Sequence, residues 1–224
     1  MTEDFIGVVE ITSIEETEKF KNQRLYKAHL SSIETYKGVF PDSILVSGTP
    51  EVSFDGQCEV AVRLGQKWLL YLQKGENGNY ILSWCANPIP ISLTNGKKAP
   101  RADVAQNQIE KLIYLKENFP NLHSEFRIYY DMEIYTEFFV NYNNLNLDTE
   151  SAFYMLTFNK KVEVESVDIV KGFGNKVDRQ IIQFFKTDSL WHGGSFYNPE
   201  YSIPHKTKYL VNMNYNKELN RVGF

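Results

Sequence analysis

Apolar and polar positions change rhythm several times along the chain, and each rhythm predicts an element. Ala152, Tyr154, Leu156 and Phe158 alternate with Phe153, Met155 and Thr157, so both faces of this stretch are largely apolar. Such a strand is expected at the centre of a sheet that is covered on two sides. Asn159-Lys160-Lys161 is polar and predicts a hairpin turn. Val162 and Val164 then lie in one phase and Val167 and Ile169 in the other, and a slip near Glu165-Ser166 is what a β-bulge produces. Gly172 and Gly174 end that strand. Asn175 is the expected N-cap of a following helix, with Asp178 in its first turn, where the helix dipole favours a carboxylate. Val177, Ile181, Phe184 and Phe185 recur at helical spacing in one stripe. Trp191-His192-Gly193-Gly194 is expected to break the helix and turn the chain. Lys206 to Tyr215 predicts a last strand, with Tyr209, Val211 and Met213 on one face.

The N-terminal half reads as a run of short strands. Phe5 to Ile14, Arg24 to Tyr36, Ser43 to Val46, Lys67 to Leu72 and Tyr80 to Trp84 are the strand segments. Between the last two, Asn77-Gly78 marks a tight hairpin. Strands at this spacing suggest a small barrel or sandwich. Asn87 to Pro100 has the composition of a linker. Pro100 suits the N1 position of a helix whose stripe is Val104, Ala105, Ile109, Leu112 and Ile113, and which either packs on the barrel or bridges two domains. Leu122 to Tyr142 predicts a second helix, with Tyr130, Ile134, Phe138 and Tyr142 four residues apart. The fold class is therefore α+β: an N-terminal small β-barrel plus helix, and a C-terminal α/β domain with an antiparallel sheet. The expected boundaries are 1–96 for the barrel, 97–125 for a helical connection and 126–224 for the second domain.

Composition narrows the classes. The chain has 224 residues, 42% hydrophobic and 14% aromatic, which describes a globular chain rather than a disordered one. Its 14 Tyr and 15 Phe suit β-structure. The formal net charge of -4 and the lack of a basic block argue against a nucleic-acid groove. No apolar run is long enough for a membrane span. MTEDFIGVV shows no leader pattern, so an exported form would have had its signal segment removed. Cys58 and Cys85 are in no CxxC pair and have no histidine cluster beside them. A mutual disulfide leads over two free buried thiols, and a structural zinc site ranks last.

The segment Val164-Glu165-Ser166-Val167-Asp168-Ile169-Val170-Lys171-Gly172, followed by Val177-Asp178 and Trp191, resembles the C-terminal domain of TonB-type proteins over about residues 131–216. The family turn W-x-P-G reads Trp191-His192-Gly193-Gly194 here, and the small helix residue is the bulkier Ile181 or Ile182. The resemblance implies a protein-binding sheet whose edge accepts an extended peptide. It implies no catalysis. Tyr36-Lys37-Gly38, Cys58, Gly65-Gln66-Lys67-Trp68-Leu69-Leu70 and Ser83-Trp84-Cys85 together resemble the netrin-like OB-fold module of tissue inhibitors of metalloproteinases, over about residues 4–95. Those inhibitors chelate the protease zinc through an opening C-x-C segment, and no cysteine precedes Phe5 in this sequence. That mode of inhibition does not carry over. The resemblance also leaves open that each cysteine has lost a partner from such a segment.

Catalytic patterns are sparse. His29, His123, His192 and His205 are scattered and show no metal-ligand spacing. Lys171-Gly172-Phe173-Gly174-Asn175 lacks the spacing of a phosphate loop, and Gly193-Gly194-Ser195 is not a nucleophile elbow. Glu163 and Glu165 read as a solvated pair. The expectation is a non-catalytic protein without a cofactor or metal. It would be periplasmic or associated with the outer membrane, and would bind an envelope or outer-membrane protein. The expected binding edge is Lys206, Lys208, Tyr209, Val211, Met213 and Tyr215, where proline or a charge at Val211 should abolish capture. The same edge could pair with itself in a homodimer. The alternative is a secreted regulator of a hydrolase acting through the barrel, and an enzyme or an oligonucleotide binder ranks behind both.

Overall fold

Phe5, Val9 and Ile11 are buried in one cluster and Ile6 and Val8 in another, and this two-faced first strand sets the architecture of the N-terminal half. The computed structural model describes residues 3–16, 25–50, 59–119, 128–140, 147–193, 202–217 and 221–223. The chain divides into two units, Met1–His123 and Ser124–Phe224. It is mixed α+β, mostly strand, with a curled sheet and three α-helices among the described residues.

The first unit contains β1 (Phe5–Glu16), β2 (Leu25–Lys37), β3 (Ser43–Ser47), β4 (Lys67–Leu72), β5 (Ile81–Leu82), β6 (Ile89–Pro90) and α1 (Ala102–Asn118). The strand order is β5-β3-β2-β1-β4-β6. All pairs are antiparallel except β3 with β5. Three register shifts along β1 and β2 bend the ladder. A bridge between Lys74 and Tyr80 links the end of β4 to the approach of β5, so the sheet curls back on itself. The turn between them is the expected hairpin, with Gly78 at φ 80 and the Asn77 side chain accepting the Asn79 N–H at 3.1 Å. Inside the curl, Phe5, Val9, Tyr26, Val46, Leu70 and Leu82 form the core. The Tyr26 hydroxyl donates to the Val60 carbonyl and accepts the Val62 N–H, both at 2.9 Å, tying β2 to the segment across the curl.

On the outer face, Ile6, Val8, Leu69 and Ile89 pack against Ala105 and Leu112 of α1. Lys116 fastens the helix end to β2 through Glu34 at 2.7 Å and the Thr35 carbonyl at 2.9 Å. Several sequence expectations change here. Asn87–Pro100 has a linker's composition but belongs to the sheet: β6 pairs with β4, and Leu93 donates to Lys97 across a turn. Pro100 is not N1, because the helix begins at Ala102 with Arg101 at the N-cap. Ile113 is 41% exposed, and Leu115 takes the inward position instead. Only Ile81–Leu82 of the expected Tyr80–Trp84 strand is extended, and Trp84–Ala86 winds into a 3-10 turn.

The second unit contains β7 (Ile128–Tyr130), α2 (Met132–Val140), β8 (Ser151–Phe158), β9 (Val164–Lys171), α3 (Asn175–Phe185), β10 (Trp191–Gly193), β11 (Thr207–Asn216) and β12 (Arg221–Gly223). Its main sheet is antiparallel in the order β12-β11-β8-β9, and β7 pairs separately with β10. β8 is central and buried along nearly its whole length, as its apolar alternation predicts. The β9 ladder slips at Glu165, between the pairs Thr157–Ser166 and Phe158–Val164, where the phase change places a bulge. Tyr154, Leu156, Phe158, Val211 and Met213 form one core with Ile181, Phe184 and Phe185 of α3.

The α3 entry differs from expectation. Gly174 occupies the N-cap, so Asn175 does not. Asp178 is 4% exposed and turns back to accept the N–H of Phe173 at 2.8 Å, the N–H of Gly174 at 3.0 Å and the Tyr154 hydroxyl at 2.6 Å. The carboxylate thus satisfies the backbone donors of the cap residue and of the loop residue before it, as the acid of a capping box does. The helix stops at Phe185, and the chain turns over Lys186–Leu190 rather than at Trp191. Trp191–Gly193 is a strand. Tyr130 likewise lies in a strand, and α2 starts after Asp131, whose side chain accepts the N–H of Glu133 at 2.9 Å and of Ile134 at 3.0 Å. Tyr142 lies outside the described residues.

Candidate strand-addition edge

β11 pairs with β8 through eight consecutive positions, Thr207–Phe158 to Asn214–Ser151, without a register shift. On its other side β12 covers only Asn214 to Asn216. Among the described residues, no strand pairs with Thr207 to Met213 on that side, although Leu210 to Met213 are themselves buried. The backbone phase of β11 follows from Tyr215, which donates its N–H to Glu150 at 2.8 Å. With regular antiparallel alternation, the odd-numbered residues from Tyr209 onward bond to β8, and Lys208, Leu210 and Asn212 point their N–H and C=O groups outward; at the start of the strand the pattern changes, Lys206 donating its N–H to Phe158 at 2.9 Å and Thr207 to Pro204 at 3.2 Å. The opposite edge, β9, has two register shifts and carries Glu165 and Asp168. Bulges and charges are the features that discourage strand pairing, so β11 is the more receptive edge.

The six expected binding residues do not behave alike. Lys206, Lys208 and Tyr209 are exposed, Tyr209 at 38%. Lys206 stands just before the strand at φ 64. Val211, Met213 and Tyr215 are buried in the core under the helices, and Tyr215 is paired with β12. Proline at Val211 would therefore break the β8 ladder and the core rather than the edge alone. Tyr209 stands against an aromatic group: its ring centroid is 6.0 Å from Trp191 and 6.4 Å from Phe158. Trp191 is itself fixed, because its indole N–H donates to the Phe185 carbonyl at 2.9 Å and its ring meets Tyr130 at 6.4 Å. The pattern of the sequence flagged the strand; the support from β10 was missed because Trp191 reads as a turn residue.

One polar group in the strand is poorly solvated. Asn212 is 7% exposed, and among the described residues neither of its side-chain polar atoms has a hydrogen-bond partner.

The remaining candidates resolve into structural roles. His29 pairs with Glu15 at 2.9 Å and His205 with Glu165 at 3.0 Å, while His192 lies 3.8 Å from Asp131. Glu163 accepts from the Asn159 amide at 2.6 Å, so Glu163 and Glu165 are each engaged locally. The Gly172–Asn175 loop closes on Asp178 and presents no anion cradle: a Cβ on Gly172 would sit 2.3 Å from an Asp178 oxygen. Lys111 on α1 has its ammonium pushed toward the neutral form by desolvation, with no ion pair among the described residues. Cys85 is disulfide-bonded, whereas Cys58 and His123 lie outside the described residues. No group of three His, Cys, Asp or Glu residues that could hold a metal ion occurs among the described residues. No helix among them is long and apolar enough to cross a membrane. No protein-family pattern matches the chain, and no curated protein is significantly similar to it.

Proposed function

We propose that this chain is a non-catalytic binding protein that captures an extended segment of a partner protein as an added strand on β11. The observation that carries the reading is the regular stretch Thr207–Met213, which no described strand pairs on its outer side, in contrast to the bulged and charged β9 at the other edge of the sheet. Main-chain hydrogen bonds would supply the affinity, and alternate side chains the selectivity. The β8–β9 hairpin, the following α3 and the return of β11 beside β8 favour a TonB-like arrangement for the second unit. The parallel β3–β5 pair and the closing Lys74–Tyr80 bridge favour an OB-like barrel for the first. The disulfide at Cys85 favours an oxidising compartment such as the periplasm, with an envelope or outer-membrane protein as the partner.

The test is a pull-down from envelope extracts with the whole chain and with Lys208→Pro. That substitution removes one outward N–H and leaves the β8 ladder whole. Loss of a partner by a variant whose melting curve and circular dichroism are unchanged supports strand addition. Equal capture by both proteins removes β11 from the mechanism.

A further inference from the structure

Two adjoining turns of the first unit each hold a leucine in solvent. In the turn Arg63–Gln66, Gly65 takes φ 77 and donates its N–H to the Ile11 carbonyl at 2.8 Å, and Gln66 donates to the Arg63 carbonyl at 3.1 Å. The buried Gln66 side chain accepts the Arg63 N–H at 2.8 Å and the Trp68 indole N–H at 3.3 Å. In the turn Leu93–Gly96, Leu93 donates to the Lys97 carbonyl at 2.8 Å and Gly96 to the Leu93 carbonyl at 2.9 Å. The Asn95 side chain accepts the Lys97 N–H at 3.1 Å. The two turns are neighbours: the Lys67 N–H reaches the Ser92 hydroxyl at 3.2 Å, and a Cβ on Gly65 would lie 4.0 Å from the Thr94 carbonyl oxygen. Leu64 is 61% exposed and Leu93 37%. A single exposed leucine is ordinary. Two of them on neighbouring turns, whose backbone bonds close within the protein, make a fixed apolar tip that can leave water at little polar cost.

The rim of the tip is basic. Arg63 and Lys67 flank the first turn and Lys97 and Lys98 the second, all four exposed, with exposed Arg101 three residues on. No carboxylate occurs from Val60 to Lys74 or from Asn77 to Ala102, in a chain whose formal net charge is -4. Glu10 lies across the ladder from Lys67, and Glu15 further along β1 is held by His29 at 2.9 Å. The hairpin at the other end of β4 carries Glu76 close to Lys74, so the basic excess belongs to one end of the sheet. From this juxtaposition we infer that the Leu64 and Leu93 turns seat on the surface of an anionic lipid bilayer. The leucines enter the boundary of the acyl chains, and the basic side chains pair with the lipid phosphates. Lysine and arginine suit that boundary, because their stems lie along apolar material while the charge stays in water. Charge selects an anionic surface, and the exposed leucines select lipid over a soluble polyanion. The contact is peripheral and needs no spanning segment. It uses only the first unit and stands apart from strand addition on β11.

The experiment is co-sedimentation of the full chain with vesicles of phosphatidylcholine alone and of phosphatidylcholine mixed with phosphatidylglycerol. The chain should bind the mixed vesicles, and binding should weaken at high salt. Lys97→Gln/Lys98→Gln should weaken it roughly thirtyfold, the effect of two basic residues at such a surface. Leu64→Ser/Leu93→Ser should weaken it about tenfold and keep the salt dependence. All four positions are exposed, so the melting curves of both variants should match that of the parent. An environment-sensitive fluorophore on Leu64→Cys should shift to the blue with mixed vesicles, whereas the same label on Asn77→Cys, in the hairpin at the other end of β4, should not. Equal binding to both kinds of vesicle, or to neither, overturns the inference. Full binding by the leucine variant with loss in the lysine variant assigns the rim to a soluble polyanion and overturns the lipid surface. A blue shift at both labels, or at Asn77→Cys alone, overturns the placement on these turns.

Discussion

Gly172 and Asp178 act as one latch. The glycine leaves room for the carboxylate, and the carboxylate closes the loop that starts α3. Asp178→Ala leaves the Phe173 N–H and the Tyr154 hydroxyl without their acceptor, and should cost about 2–4 kcal/mol in denaturant unfolding. Gly172→Ala should cost a similar amount. The double variant should cost much less than the sum, because both changes break the same contact. Tyr26→Phe in the first unit removes a donor and an acceptor from a buried bridge and should cost about 1–3 kcal/mol. Asn212 should behave oppositely. Its amide is buried without partners among the described residues, so Asn212→Leu should raise the unfolding free energy by about 1 kcal/mol. A loss of stability on that change would mean that the amide is satisfied in solution.

At the scale of elements, the N-terminus of α2 depends on one carboxylate. The N–H of Ile134, followed by that of Glu133 and by His192, holds the Asp131 carboxyl below the usual range. A depressed carboxylate contributes stability that is present above its unfolded value and is lost as pH falls through its folded value. The thermal stability of the second unit should therefore fall as pH drops below about 4, and Asp131→Asn should flatten that dependence. The elements themselves were legible where burial is two-sided or strictly alternating. The Ser151–Phe158 run announced a central strand, and the phase change at Glu165 announced its bulge. The pattern failed where short-range signals compete with tertiary pairing. Pro88, Pro90 and Asn95-Gly96 look like punctuation, yet Ile89–Pro90 is an edge strand, where proline's missing N–H costs nothing. Tyr130 fits a helical repeat, but its partner is Trp191, which is remote in sequence. The candidate edge was half legible: the strand could be read, but β12 and the inward turn of Val211 and Met213 could not, because both depend on what packs beside them.

At the scale of the whole molecule, separate cores imply separate stabilities. Disulfide mapping under non-reducing conditions should find Cys85 joined to Cys58. Cys85→Ser should then lower the stability of the first unit by about 3 kcal/mol, with little effect on the unfolding of the second. The second unit carries the proposed docking, and β12 gives it a property of its own. Because β12 occupies β11 from Asn214 onward, a guest strand can run only from Thr207 to Met213, about 23 Å of extended chain. The sheet would thus work as a ruler with a fixed stop. A partner would have to bend away or end at Met213, and lengthening its extended segment past that point would gain no affinity unless β12 peeled away first.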